Sequence, residues 1–316
     1  MRYLSPVSLP GISLVDLTDK KSLQLQKKKL LTELELNADG QLRINDRTLS
    51  KNDILQYFDT LEDDTILHYH EAISNDKTLV SFLENSRLPA DASFTPSSFY
   101  GDAGFIQWIS PYFYTAFVEY AKYCLQNRDE QGLKNLRRNF QLLTDYDRER
   151  AWIEIGQVLE NNVALLEKYQ EQANRKKDKP DIKGVSPLVS DTVTRMILLL
   201  PKLPLSRVRD RYAFITMQLS ILLFNNGRSK RDLAGSWLYT AKTLAASETT
   251  YNQVVAKGQE MDNIRKKGQR NLGIRAAIVI GIMLLRMITS AGACNASRSS
   301  STRVYTQLTN IHRSSP

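Results

Sequence analysis

The sequence predicts a mainly α-helical protein: an array or bundle of helical hairpins, with a small β-hairpin near the N-terminus and an apolar helix near the C-terminus. Three observations predict it. Beyond residue 50, apolar residues recur at spacings of three and four over most of the chain, the period of a helix that turns one stripe to a core. Residues 34–45, LELNADGQLRIN, alternate apolar and polar instead. Residues 275–287, RAAIVIGIMLLRM, place ten uncharged, mostly apolar residues between Arg275 and Arg286.

In chain order, Leu34, Leu36, Leu42 and Ile44 alternate on the two sides of Asp39-Gly40, which predicts two short strands joined by an Asp-Gly turn. The same stretch loosely fits a calcium loop through Glu35, Asn37, Asp39, Gly40 and Asp46. Its first and last ligands are swapped in type and its flanks alternate with period two, so the hairpin reading is preferred. Ser50 and Asp53 resemble a capping box before Ile54, Tyr57, Phe58 and Leu61. Helices are expected over 64–74 and 76–85. Ser110-Pro111 reads as an N-cap followed by proline at the first helical position, opening a helix with Phe113, Phe117, Tyr120 and Cys124 on one face. Leu133, Leu136, Phe140 and Leu143 mark the next helix, and Trp152, Ile155, Leu159, Val163 and Leu166 a longer one.

The polar stretch NRKKDKPDIKG, residues 174–184, contains Pro180 and reads as a boundary. After it come helices over 190–200 and 206–224, separated by a break from Pro201 to Pro204, then a turn at Asn226-Gly227. The last two helices carry Leu233, Trp237, Ala241 and Leu244, then Tyr251, Val254, Val255 and Met261. They form a hairpin of roughly tetratricopeptide size, yet no motif repeats at that period. The expected organisation is an N-terminal segment with the hairpin (1–49), a helical domain (50–174), a linker or long loop (175–187), helical hairpins (188–268), a transmembrane helix (271–292) and a disordered, basic, Ser-rich tail (293–316).

The chain is long enough, at 316 residues, to bury a sizeable core. Its two cysteines, Cys124 and Cys294, make no disulfide framework. The net charge of +9 is concentrated: after Asp262 there are nine basic residues and no acidic one, so the first 262 residues carry 34 of each sign. A neutral body argues against a nucleic-acid-binding surface spread over the chain. A basic, apolar tail points to an acidic surface, with a membrane leaflet preferred. The opening MRYLSPVSLPGISLVDL has prolines and no continuous apolar run, so it does not read as a secretory signal.

No Walker A loop, G-x-G-x-x-G or G-x-S-x-G is present, and neither a catalytic residue, a cofactor nor a metal is assigned. His68 and His70 point about 200° apart on a helix, a poor grip on one metal, and read as surface or boundary histidines. Cys124, among aromatics on an apolar face, reads as core. Residues 94–123 hold 11 of the 27 aromatic residues. Phe113, Phe117 and Tyr120 have core spacing. Tyr112 and Tyr114 flank them on other faces and are harder to bury all at once; with Phe99, Tyr100 and Trp108 they form the candidate partner surface.

The length of the apolar run sets how it can meet a bilayer. A spanning helix needs about 20 apolar residues, and ten give roughly 15 Å at about 1.5 Å per residue. Extending the window to 271–289 puts Arg275 and Arg286 toward the ends, where their stems reach the interface. Ile278, Val279, Ile280, Ile282, Met283, Leu284 and Leu285 would then form the anchor, flanked by Arg265, Lys266, Lys267, Arg270, Arg275 and Arg286. A buried soluble helix and an interfacial helix are the competing readings. The cluster from Arg265 to Arg270 would hold the body on the cytoplasmic side, and Gly273, Ala277 and Gly281 form a ridge that could pair two anchors into a homodimer. Asn295-Ala-Ser297 matches a glycosylation sequon, as one chance match would.

These readings lead to a non-enzymatic, single-pass, membrane-tethered scaffold with an unidentified protein partner. The alternative is a soluble helical scaffold whose basic tail binds a phosphate-rich partner, nucleic acid or a membrane surface.

Overall fold

The structure, a computed structural model, describes residues 2–13, 19–44, 47–89, 92–176 and 180–267. Among them it is mainly α-helical with one two-stranded antiparallel sheet. By internal contacts the chain divides into residues 1–254 and 255–316.

In the first unit a leading segment, residues 2–13, contains a 3-10 turn at Pro6–Ser8. Helix α1 spans Lys20–Leu36. Strands β1, Leu42–Ile44, and β2, Arg47–Leu49, follow. Three short helices come next: α2 at Lys51–Leu61, α3 at Asp64–Ser74 and α4 at Lys77–Asn85. The long helix α5 spans Ala103–Asn127, α6 Glu130–Arg137 and α7 Asp145–Lys176. A single turn, α8 at Ile182–Val185, precedes α9 at Asp191–Leu199, α10 at Lys202–Asn225 and α11 at Arg231–Leu244. A last helix, α12, covers 248–267.

Short polar side chains start most of these helices. Asp19, Asp63, Asp76, Asp102, Asp129, Asp181 and Ser190 each accept backbone N–H groups of a first turn, satisfying donors that a helix start leaves unpaired. Ser50 and Asp53 form the reciprocal capping box that their spacing predicts. The predicted helices at 64–74 and 76–85 are α3 and α4. On α7, Ile155, Leu159, Val163 and Leu166 are all at most 1% exposed, so its stripe faces a core as expected.

Four local expectations are corrected. The β-hairpin exists, but not around Asp39-Gly40. Leu34 continues the stripe of Leu23 and Leu30 on α1, so the apparent alternation of Leu34 and Leu36 is a fragment of helical periodicity. Gly40, at φ +61°, turns the chain out of the helix. β1 then pairs with β2, Leu42 opposite Leu49 and Ile44 opposite Arg47, leaving residues 45–46 between them.

Ser110-Pro111 does not open a helix: α5 starts eight residues earlier, on the Asp102 carboxylate, and Pro111 lies inside it. The missing N–H there is tolerated in a helix whose Phe105, Ile109, Phe113 and Phe117 are at most 1% exposed on either side of it. Pro204 likewise falls within the first turn of α10, where a proline deprives the helix of no internal hydrogen bond. The boundary at 174–184 is narrower than expected, because α7 runs to Lys176 and α8 begins at Ile182.

α7 packs between α5 and α10, and α10 packs along α11. No described helix is long and apolar enough to cross a membrane. The anchor expected at 271–292, with Ile278, Val279, Ile280, Ile282, Met283, Leu284 and Leu285, lies outside the described residues, as do Arg270, Arg275, Arg286 and the 293–316 tail.

Candidate functional site

The leading segment has no ladder of its own, so side chains of the body satisfy its backbone. Arg47 on β2 donates to two successive carbonyls, that of Arg2 at 3.0 Å and that of Tyr3. Tyr57 on α2 donates to the carbonyl of Leu4 at 3.0 Å. Glu84 on α4 accepts the N–H of Ser5 at 2.9 Å and the hydroxyl of Ser8 at 2.7 Å. Gln26 on α1 donates to the Gly11 carbonyl at 2.8 Å. Leu4, Leu9 and Ile12 enter a core with Leu30 of α1, Leu42 of β1 and Ile54 of α2.

Tyr3 is 1% exposed and forms the hub of an aromatic cluster. Its hydroxyl lies 2.8 Å from His70 Nδ1. Its ring meets those of His70 at 5.5 Å, Tyr112 at 5.7 Å and Trp108 at 6.3 Å between centroids, separations at which aromatic pairs attract. His70 and Trp108 meet edge to face at 4.9 Å.

A cavity of about 630 Å³ opens beside this cluster, within the range of small-molecule and peptide side-chain sites. Leu4, Leu9, Leu30, Ile54 and Phe58 make its apolar floor. Tyr3, Tyr57, His70, Trp108 and Tyr112 make its aromatic wall, and the exposed Thr48, Asp53, Gln56 and Thr60 mark its mouth.

Burial sets the protonation of the wall. It pushes His70 down to about 3, so the imidazole is neutral and offers one donor and one acceptor. Burial, joined by the negative charge of Glu84, raises the Tyr3 phenol well above the usual tyrosine range, and burial likewise raises Tyr57 and Tyr112. The arrangement offers recognition: an apolar floor, neutral aromatic faces and directed hydrogen bonds.

The five aromatic residues singled out by sequence are all half-buried and divide among three places. Trp108 and Tyr112, one turn apart on α5, line the cavity. Phe99 and Tyr100 lie on the 3-10 turn Ser98–Gly101, packed on Phe105 at 5.7 and 6.2 Å. Tyr114 donates to Glu154 of α7 under the guanidinium of Arg150. Sequence reasoning missed Tyr3, Arg47 and Glu84, which lie on non-periodic segments or far apart in the chain. It placed His70 at a surface or boundary, whereas His70 is 4% exposed. The surface histidine is His68, paired with Glu71 at 3.1 Å.

Among the described residues no group of three or more His, Cys, Asp or Glu is placed to hold a metal ion. Cys124 is fully buried, and burial pushes its thiol up to about 12, the behaviour of a core residue. Arg265, Lys266 and Lys267, the described part of the basic flank, are exposed on α12. No known protein family, curated protein or solved structure matches the chain.

Proposed function

We propose that this protein is a non-enzymatic interaction protein, tethered to a membrane through residues 271–292 with the preceding body on the cytoplasmic side, and that it meets its partner at the aromatic cavity. The observation that carries the contact site is the cavity: an aromatic wall built from four separate segments of the fold, with a solvent-exposed mouth. Aromatic, desolvated pockets of this kind carry most of the energy at protein interfaces. Two features of the sequence support the tether. All of the net charge follows Asp262, and the only long uninterrupted apolar run lies in the same stretch. Exposed Arg265, Lys266 and Lys267 suit an anionic leaflet.

The test is alkaline carbonate extraction of membranes carrying the full chain, beside a full chain with Ile280→Asp and Leu284→Asp. Membrane retention of the parent and release of the double variant are expected. Release of both in carbonate, with binding to anionic vesicles that salt abolishes, would replace the anchor with the soluble reading in which the basic tail docks on phosphate.

A further inference from the structure

We propose that the seat under the leading segment is a receptor for an extended peptide, and that residues 2–5 of this chain, ahead of the 3-10 turn, occupy it as an intramolecular ligand. The inference rests on the reading of the aromatic cavity as the contact site and deepens it. Tyr3, Leu4 and Leu9, which form part of the wall and floor, belong to the leading segment, whose extended part a partner replaces with its own, an aromatic residue followed by an aliphatic one.

The recognition is visible bond by bond. Three successive carbonyls, of Arg2, Tyr3 and Leu4, accept hydrogen bonds from Arg47 and Tyr57, and the next N–H, of Ser5, goes to Glu84. All four are main-chain groups that any extended segment presents, so they supply affinity without reading sequence. Specificity comes from the Tyr3 position, where the hydroxyl meets His70 and the ring meets Trp108 and Tyr112. The Arg47 guanidinium, within the field of the Glu84 carboxylate, holds two backbone carbonyls of the leading segment. Tyr3 is 1% exposed and its buried ring forms part of the lining of the cavity of about 630 Å³. A partner with an aromatic residue at this position makes the contacts that Tyr3 makes, and so competes with the resident segment. The resident lowers the apparent affinity of any outside ligand by the fraction of time the seat is open.

The experiment uses the full chain and a fluorescein-labelled peptide of residues 2–10, RYLSPVSLP, read by anisotropy. The chain carrying Tyr3→Ala is expected to bind this peptide at least about tenfold more tightly than the unmodified chain. A peptide with Tyr3→Ala should not bind. A Tyr3→Ala chain that keeps its helical circular dichroism yet ignores the peptide overturns the proposal, and so does equal binding of the parent and Tyr3→Ala peptides. If that variant fails to fold, the unmodified chain decides. A peptide with benzoylphenylalanine in place of Tyr3, in large excess, should crosslink to the segments holding His70 and Trp108; no crosslink, or crosslinks scattered over the surface, overturns it. A photo-crosslinker at Gln56, on the cavity mouth, tests the contact-site reading separately. Partner crosslinks at Gln56 without peptide binding would remove this inference alone.

Discussion

The hairpin of α10 and α11 and the seat of the leading segment close their cores in different ways. In the hairpin, Leu219, Leu223, Ala234, Trp237, Ala241 and Leu244 are at most 2% exposed. Ser220 donates to the Ala234 carbonyl at 2.6 Å and Tyr212 to the Leu188 carbonyl at 2.7 Å, while the buried Thr216 hydroxyl finds no hydrogen-bond partner among the described residues. At the seat, a segment without repeating structure is held by Arg47, Tyr57 and Glu84 from three different elements, and a cavity remains beside it. Dry helix packing tolerates no vacancy, whereas side chains gripping a backbone leave room for something else. The difference separates a core closed by helix packing from one closed by side chains that grip a backbone segment.

The largest expected effect tests that separation directly. Trp237→Ala should cost about 3–5 kcal/mol, the range for a large aromatic removed from a tight core. Trp108→Ala, at a half-buried position already next to empty space, should cost about 1–2 kcal/mol. Urea denaturation of both variants measures the contrast. Equal losses would mean that the cavity wall is packed as rigidly as the hairpin.

The next effect is a pH dependence that belongs to the seat. Burial holds the folded His70 pKa near 3 against an ordinary value of 6.5. Above 6.5 the histidine is neutral in both states and no stability is lost. As pH falls from 6.5 toward 3 the unfolded chain gains a proton that the folded chain refuses, and stability declines. By pH 5 the loss is about 2 kcal/mol. Melting between pH 7 and 5, above most of the carboxylate range, should show this slope, and His70→Gln should flatten it. An unchanged slope in the variant would assign the effect elsewhere. Tyr3→Phe, which takes the hydroxyl from His70 Nδ1, should cost about 1–2 kcal/mol because it strands a buried ring nitrogen. It should leave the hairpin untouched in hydrogen exchange.

How much of this was legible in the sequence follows the same division. Helix α11 was legible because Trp237, Ala241 and Leu244 repeat at helical spacing, and a stripe needs no knowledge of its partner. The capping box at Ser50 and Asp53 was legible because both halves lie within four residues. Trp108 and Tyr112 stood out by crowding, but their neighbours did not. Tyr3 and His70 are 67 positions apart, and Ser5 and Glu84 79 apart, and no local pattern joins such pairs. The false start at Ser110-Pro111 has the same origin. Ser110 looks like a cap, yet its hydroxyl accepts the N–H of Thr144 at 2.9 Å and donates to Asp147 at 2.5 Å, across to the start of α7. The true cap, Asp102, accepts from Phe105 and resembles many other aspartates in the chain.

The smallest effect asks whether the seat depends on the helix behind it. Ser50 and Asp53 start α2, and the Ser50 hydroxyl and N–H hold the Asp53 carboxyl below its usual range. β2, which carries Arg47, ends one residue before Ser50, and Tyr57 lies two turns into α2. Ser50→Ala should cost about 1 kcal/mol, as lost caps do. If α2 and β2 position the grip on the leading segment, the amide of Ser5 should exchange faster in this variant by the same free energy, because its protection requires Arg47 and Tyr57 to be in place. If Ser5 keeps its protection while the first turn of α2 frays, the segment is held by Glu84 and the aromatic cluster alone, and Arg47 follows the leading segment instead of fixing it.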